Sequence, residues 1–273
     1  MELTEQSLTA EDKSALQPVA DRLGSLIANS TTNLVHDATF KPAPDSRIDK
    51  AMKAKLEDAY ELARQRLVSA EDHLRTIFGV LTGPNPMPHF SLFTLVRGAA
   101  IPTVHARYLL DGTIDEQARL GRGLSARLEN LKQQQKVHPE IQGTFFDERV
   151  EHLVKRAEGN RIAVIRSKNG VVLGFGGQWP TDTELFEKYV PDVGKTYFQY
   201  LSGYAHSLAW AQLPSHRAQP SDDPEISLVP TDVNVPVFAA VLSGALTLYD
   251  DTIGFYLGHG GYPPMVWAEA KKS

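Results

Sequence analysis

The sequence predicts a mainly α-helical bundle that forms a single domain over residues 1–273, with one long heptad-patterned helix and one small β-hairpin near 161–175. Three observations lead to this prediction. They are an apolar seam at helical spacing, a set of matched helix start and stop signals, and one Asn-Gly pair between two β-branched runs.

The long helix is predicted from apolar residues that recur in alternating steps of four and three. This spacing places them on one side of a helix, where they form a seam that packs along other helices. The run ends at Gly83 and Pro84, which stop helices. We therefore predict one continuous helix over 47–82. Its seam consists of Leu56, Tyr60, Ala63, Leu67, Ala70, Leu74, Ile77 and Leu81.

The helix starts are predicted from Ser/Thr-x-x-Asp/Glu pairs. In such a pair the hydroxyl accepts a hydrogen bond from a first-turn amide, and the acid favours the positive end of the helix. Five pairs occur, at Thr9/Asp12, Ser46/Asp49, Thr113/Glu116, Thr144/Asp147 and Thr181/Glu184, and Asn234 is a further N-cap candidate. The predicted helices cover 10–29, 47–82, 89–111, 114–137, 145–158, 182–190, 194–213 and 235–257.

Residues 161–175 differ from the rest of the chain because β-branched residues lie on both sides of Asn169 and Gly170. Asn-Gly is the pair that a type I′ turn selects, because both central residues need a positive φ. We therefore predict a short hairpin that packs on the helices, since an isolated hairpin is marginal in water. Two proline-containing segments, 36–45 and 214–232, are predicted to be irregular linkers.

The composition is ordinary for a soluble protein and excludes several kinds of site. The chain has no cysteine, which excludes disulfides, thiolate nucleophiles and Cys-ligated metals. Its net charge of −5 gives no overall attraction to nucleic acid or to an anionic membrane. The uncharged stretch 233–249 is shorter than the ~20 residues of a membrane span, so we predict a buried core helix there. We predict a cytoplasmic protein without a signal peptide or a membrane contact.

The predicted helix 194–213 carries polar residues in an otherwise apolar stretch. Ser202, His206 and Trp210 are spaced to share one face, and Tyr200 lies on a neighbouring face. A buried imidazole or hydroxyl without a partner costs about 1–3 kcal/mol, so these groups need partners. Two interpretations are open. Either His206 acts as an acid–base group or phosphate donor inside the bundle, or Ser202 and His206 form a core hydrogen bond that fixes the helix register.

The predicted helix 89–111 places Arg97 and His105 two turns apart on one side. Arg97 lies among apolar residues, where a charge is rarely left unpaired. It is therefore predicted to form a buried ion pair or to bind an anion. Pro102 lies between the two residues and removes a backbone donor, which predicts a kink near Gly98.

The stretches LVRGAA…ARYLLD and YFQYLSGYAHS, within 89–111 and 194–210, resemble uncharacterised helical proteins, mostly bacterial, that are related to the HEPN-like superfamily. HEPN nucleases cut RNA without a metal, and their motif is an arginine, four to six residues, then a histidine. Arg66 and His73, with six residues between them, fit this spacing, although Leu67 stands where the family usually has a polar residue. Arg97 and His105 are separated by seven residues, one more than the motif allows.

The resemblance implies a helical protein that binds RNA or another phosphate-bearing ligand in an inter-helix pocket and cleaves RNA without a metal or a cofactor. Basic residues at 119–136 and 155–168 are either a phosphate-binding face or solvated helix surfaces. A non-catalytic scaffold or ligand-binding module is the alternative, with the helices as a homodimer surface. A further alternative is an enzyme for an apolar small molecule, with Trp179, Trp210 and Trp267 in its pocket. The candidate catalytic residues are His206, His105 and Arg97, and the candidate binding residues are Ser202, Tyr200, Arg66 and His73.

Overall fold

A computed structural model of the chain describes residues 8–28, 41–84, 87–88, 91–137, 144–206, 208, 210, 216–220 and 228–262. This part of the chain is mainly helical with short antiparallel hairpins, which confirms the predicted fold class. Its helices are α1 (Ala10–Ala28), α2 (Arg47–Lys53), α3 (Asp58–Thr82), α4 (Ser91–Leu109), α5 (Glu116–Val137), α6 (Thr144–Gly159), α7 (Asp182–Tyr189), α8 (Gly194–Ala205) and α9 (Val235–His259).

The seam prediction is confirmed, but the prediction of one continuous helix over 47–82 is wrong. Every seam residue from Tyr60 to Leu81 is at most 1% exposed. Before Tyr60 the chain leaves the helical path and separates α2 from α3. Lys55 has a φ of 58°, and the Leu56 N–H donates to the Ala51 carbonyl at 2.8 Å, which closes the end of α2. This turn places Leu56 against both hydrophobic clusters of the molecule.

Helix α4 lies at the centre of the larger hydrophobic cluster, because α3, α7, α8 and α9 all contact it. Helix α1 packs on α9 and α3. The smaller cluster is formed by α5, α6 and the first hairpin, through residues such as Leu124, Leu153 and Phe175. Polar side chains of α4 consequently face other helices, which supply their partners.

Helix α9 is a core helix, as predicted for the uncharged stretch 233–249, with Phe238, Leu242 and Leu246 fully buried. Asn234 caps it as expected, because the Val237 N–H donates to the Asn234 side chain. In the described ranges, no helix combines the length and hydropathy needed to cross a membrane.

The first hairpin lies where the sequence predicted it, with β1 (Val164–Arg166) paired antiparallel to β2 (Val172–Phe175). The predicted type I′ turn is wrong, because Gly170 has a φ of 80° but Asn169 has no positive φ. The Gly170 N–H donates to the Ser167 carbonyl at 3.0 Å. The loop is therefore a type I turn followed by a left-handed glycine.

This hairpin docks on α5 through two small residues one turn apart. The Ser125 hydroxyl accepts a hydrogen bond from the Phe175 N–H at 2.8 Å and donates to the Gly177 carbonyl at 3.0 Å. A Cβ on Gly121 would lie 2.9 Å from the Phe175 carbonyl oxygen, so only glycine allows this approach. The contact fixes the start of the segment that leads to Trp179 and α7.

The segment 214–232 was predicted to be irregular, which is wrong for two stretches. β3 (His216–Pro220) and β4 (Leu228–Val233) form a second antiparallel hairpin. Prolines stand at positions 220 and 230 of this ladder, opposite Leu228 and Ala218. In the other predicted linker, 41–45 has no helix or strand, and 36–40 lies outside the described residues.

The predicted helix starts are confirmed at three of the five pairs. Thr9 and Thr181 each form a reciprocal capping box, and the Ser46 hydroxyl accepts from the first turn of α2. Thr113 is not a cap, because Asp115 accepts the Ala118 N–H at 2.7 Å and α5 begins after it. The Thr144 side chain lies outside the described part of the structure.

Candidate functional site

Four of the predicted site residues lie at the packed faces of α3 and α4. Arg66 and His73 belong to α3, and Arg97 and His105 belong to α4. The His73 ring lies directly over the backbone of Gly98, since a Cβ at Gly98 would be 2.8 Å from its Cε1 and Nε2 atoms. The glycine beside Arg97 thus makes room for the imidazole.

His105 is held by a carboxylate that the sequence analysis missed. Its Nε2 atom donates a hydrogen bond to the Asp182 Oδ1 atom at 2.6 Å, and the His105 residue is 8% exposed. The Trp179 ring lies edge-on to the imidazole, with ring centroids 5.4 Å apart, and also contacts the Tyr108 ring at 5.3 Å. The second ring nitrogen, Nδ1, is buried and has no hydrogen-bond partner among the described residues.

Asp182 stands in the field of several positive groups. Burial would raise its pKa, but the hydrogen bond from His105 and the charges of His105, Arg97 and Arg66 lower the pKa of Asp182 below its usual value. Burial lowers the pKa of Arg66, and the charge of Asp182 opposes that change. The carboxylate is therefore ionised at neutral pH; it is bonded to the His105 imidazole and lies in the field of two guanidinium groups.

One donor among these positive groups has no acceptor in the described part of the structure. The Arg97 Nε atom is buried without a hydrogen-bond partner among the described residues. A buried guanidinium donor without an acceptor is unfavourable, and an external anion would satisfy it. We name Arg66, Arg97, His105 and Asp182 the Asp182 cluster.

Local sequence explains how Asp182 reaches this position. It is the first residue of α7, and the capping box of Thr181 and Glu184 fixes the orientation of that first turn. The docked hairpin is followed by Gly177 and then by Trp179, which packs on α4 just before the cap. The acidic side chain is thereby aimed at α4, next to the positive end of its own helix.

His206, Ser202 and Tyr200 do not join the cluster. Helix α8 ends at Ala205, so the predicted stripe through His206 and Trp210 on a helix over 194–213 is wrong. His206 is exposed, and its side chain has no hydrogen bond or ion pair within the described ranges. The Tyr200 ring contacts the Phe93 ring of α4 at a centroid distance of 6.1 Å. Ser202 is partly buried, and no hydrogen bond joins it to the His206 side chain.

Four arginines among the basic residues of α5 and α6 have structural partners inside the protein. Arg127 and Arg156 both pair with the buried Asp58 carboxylate, the first at 2.7 Å. Arg119 is fully buried, and Arg122 donates to the Tyr108 carbonyl at 2.6 Å. These arginines join α3, α4, α5 and α6 to one another.

The tryptophans do not gather around one apolar pocket in the described structure. Trp179 packs on α4, whereas Trp210 is 56% exposed and Trp267 lies outside the described ranges. The alternative of an apolar substrate therefore gains no support from their positions.

Searches with protein-family models, among curated proteins and among solved structures found no match to this chain.

Sequence analysis missed Asp182 and named Trp179 only for an apolar pocket. Asp182 carries no sequence signal beyond its place inside a capping box, and it lies 77 residues from His105 in the chain. Trp179 follows Gly176, Gly177 and Gln178 and precedes Pro180, a pattern that indicates only a turn. The single available sign was that His105 and Arg97, both on a core face, required partners from another element.

The packing of His73 on Gly98 gives a prediction about stability. Gly98→Ala should lower the free energy of unfolding by about 1–3 kcal/mol, because the new methyl group overlaps the imidazole ring. In a His73→Ala background the same change should raise stability by up to about 1 kcal/mol, since alanine favours a helix over glycine. Urea unfolding of the four proteins tests this. Equal effects of Gly98→Ala in both backgrounds would contradict the contact.

Proposed function

We propose that the protein binds a phosphate-bearing ligand, with RNA as the leading candidate, at the Asp182 cluster. The observation that supports the proposal is the surplus of positive groups around one carboxylate. Arg66 and Arg97 each carry a permanent charge, and the only anion of the cluster is already bonded to His105 at 2.6 Å. A phosphodiester group of RNA carries one negative charge, which would balance the surplus of one positive charge.

Guanidinium groups are suited to this role because their planar N–H donors match two phosphate oxygens at once. The buried Nε of Arg97 is one donor that has no acceptor in the described structure. Asp182 would keep both arginines oriented and prevent them from repelling each other before the ligand binds. Its side chain is about one-third exposed, so the cluster can be reached from solvent.

Binding is tested with a fluorescently labelled single-stranded RNA oligonucleotide and with inorganic phosphate as competitor. Arg97→Gln and Arg66→Gln should each weaken RNA binding by roughly tenfold or more, because each removes a charge-assisted contact. Arg149→Gln is the matched control, since Arg149 lies on α6 and stacks on Phe145 at 4.7 Å. Unchanged binding in both cluster variants would remove the proposal.

Cleavage of the bound RNA is the finer form of the proposal. His105, oriented by Asp182, supplies a general acid–base group, and Arg97 stabilises the charge of the phosphorane-like transition state. Because His105 is 8% exposed beneath Trp179, the Trp179 segment must move before a substrate reaches the imidazole. The same burial favours the alternative of a non-catalytic module in which His105 and Asp182 join α4 to α7.

The same oligonucleotide distinguishes these forms when it is incubated with the protein in EDTA and its length is measured. Loss of cleavage in His105→Asn with retained binding supports an acid–base role for His105. Loss of cleavage in His206→Ala instead would indicate that His206, a candidate catalytic residue from the sequence analysis, acts as the acid–base group. Binding without cleavage in the wild-type protein supports the non-catalytic module.

A further inference from the structure

A cavity lies between the end of α4, the end of α7 and the second half of α9. Its volume is about 650 Å³, and its polar lining comes from Arg47, Arg107, Asp250, Asp251 and His259. None of these residues belongs to the Asp182 cluster. An inference about this cavity therefore does not depend on the proposed function.

Arg107 is held in the wall of this cavity by two aromatic rings. Its guanidinium carbon lies 3.6 Å from the centroid of the Phe255 ring and 5.3 Å from that of Tyr189. Its Nη1 atom is buried without a hydrogen-bond partner, and the side chain has no ion pair within the described ranges. The stacked rings fix a guanidinium whose buried Nη1 donor has no acceptor among the described residues.

Asp251 is the opposite charge in the same lining. It is exposed, and it has no hydrogen bond or ion pair in the described part of the chain. Burial lowers the pKa of Arg107, and the charges of Tyr189, Asp111 and Asp251 oppose that change. Within the described ranges, Arg107 and Asp251 thus line the same cavity as opposite charges without an ion pair.

The other charged groups in the lining are already committed. Asp250 accepts from the Arg22 Nη2 at 2.6 Å and from the Arg22 Nε at 3.2 Å. His259 donates to the Leu110 carbonyl, and the Arg47 Nε lies 3.6 Å from a Glu116 carboxylate oxygen. Among the charged lining residues that the structure describes, Arg107 and Asp251 are left to receive a ligand.

Glycines keep the cavity open along α9. Gly254 and Gly258 lie one turn apart in the lining, and a Cβ on Gly258 would meet no atom within 4 Å. A helix interior normally favours alanine over glycine by about 1 kcal/mol. Alanine would fit at position 258 and would favour the helix, so the packing of α9 does not require glycine there.

We propose that this cavity binds a small zwitterion of the amino-acid class, with its carboxylate on Arg107 and its ammonium on Asp251. A ligand with both charges satisfies two groups that the protein leaves unpaired. The apolar part of the ligand lies along Phe255 and Leu248, which complete the wall.

The proposal is tested by thermal-shift measurements with each standard L-amino acid at millimolar concentration, which identify the tightest probe. Calorimetry then compares this probe with its N-acetyl derivative, which lacks the ammonium, and with its decarboxylated amine. Each analogue should bind roughly tenfold or more weakly than the zwitterion, because one charge-assisted contact is lost. Arg107→Gln and Asp251→Asn should weaken binding of the zwitterion by similar factors.

Matched variants separate ligand binding from folding. Gly258→Leu fills the cavity where the Cβ position is free of contacts, so it should abolish binding while the protein stays folded. Arg149→Gln, another arginine stacked on a phenylalanine, and Asp72→Asn, another exposed helical aspartate, should leave binding unchanged.

Three results would overturn the proposal. They are the absence of binding by every amino acid, equal binding of the N-acetyl derivative and the zwitterion, and unchanged binding in Asp251→Asn. RNA binding by Arg97→Gln tests the Asp182 cluster alone, so either proposal can fail without the other.

Discussion

Replacing Arg119 with methionine is expected to lower the free energy of unfolding by about 3–5 kcal/mol, because it removes a buried charge whose partners then remain unpaired. The Arg119 side chain is fully buried. Its Nη1 donates to the Leu109 carbonyl at 2.6 Å and its Nη2 to the Asp111 carbonyl at 2.9 Å. Its Nε lies 3.3 Å from the Glu116 carboxylate, close enough for an ion pair but not aligned for a hydrogen bond.

The physical reason for this large effect is the end of α4. The last carbonyls of a helix have no partner in the helix and carry its negative dipole charge. Arg119 satisfies the carbonyl of Leu109, the last residue of α4, and that of Asp111 just beyond it, and Arg122 satisfies that of Tyr108. Without Arg119, these buried carbonyl oxygens lose their donors, and each unsatisfied group costs about 1–3 kcal/mol.

Urea denaturation followed by circular dichroism measures the effect. Arg119→Lys should also be strongly destabilising, since one ammonium cannot replace the planar fork that reaches two carbonyls and Glu116. Arg149→Met is the control and should change stability by less than about 0.5 kcal/mol, because Arg149 is exposed. A loss below about 1 kcal/mol in Arg119→Met would contradict this account of α4.

The second large effect concerns pH. Burial lowers the pKa of His259 to about 4 from 6.5; the nearby arginine charges add to this, while the hydrogen bond to the Leu110 carbonyl opposes it. The unfolded chain therefore binds a proton at a higher pH than the folded protein does. The contribution of His259 is fully present above pH 6.5 and is lost as the pH falls toward 4. The difference between the two pKa values corresponds to about 3 kcal/mol.

The geometry agrees with a neutral ring. The Nε2 atom donates to the Leu110 carbonyl at 2.9 Å, which leaves Nδ1 as an acceptor 3.5 Å from the Arg47 Nη1 atom. A second proton on the ring would face this guanidinium. Protonation and the buried position of the ring are therefore incompatible near neutral pH.

Unfolding free energies measured at pH 7 and pH 5 test this prediction. The wild-type protein should lose about 2 kcal/mol through His259 over that interval. His259→Gln keeps a donor for the Leu110 carbonyl but cannot titrate, so its loss over the interval should be smaller by about that amount. His152→Gln, at an exposed histidine of α6, should show the wild-type dependence. Parallel curves for the wild type and His259→Gln would refute the prediction.

The helices were predictable because their signals are local. The α3 seam repeats within a few residues, and the boxes at Thr9 and Thr181 form between positions three apart. The break before Tyr60 was not predictable, because it serves to place Leu56 between two hydrophobic clusters that are distant in sequence. The chain bends where packing of the two clusters requires it, although the apolar spacing continues.

The candidate site was predictable only in part, for the same reason. The spacing of Arg97 and His105 placed both on one face of α4, but it did not reveal Asp182, which comes from another helix. His206 was predicted on a buried face because the apolar pattern runs past Ala205, whereas the helix ends there. Arg119 was grouped with basic surface residues, since its buried state depends on carbonyls that only the fold places beside it.

The sequence by itself therefore determined the fold class, most helix boundaries and the buried edge of α3, because these depend on residues that are near neighbours in the chain. Only the tertiary structure decided which charges meet. The partners of His105, Arg107 and Arg119 come from segments that become adjacent after folding, and the energy of a charge depends on its distance to other charges and on its burial.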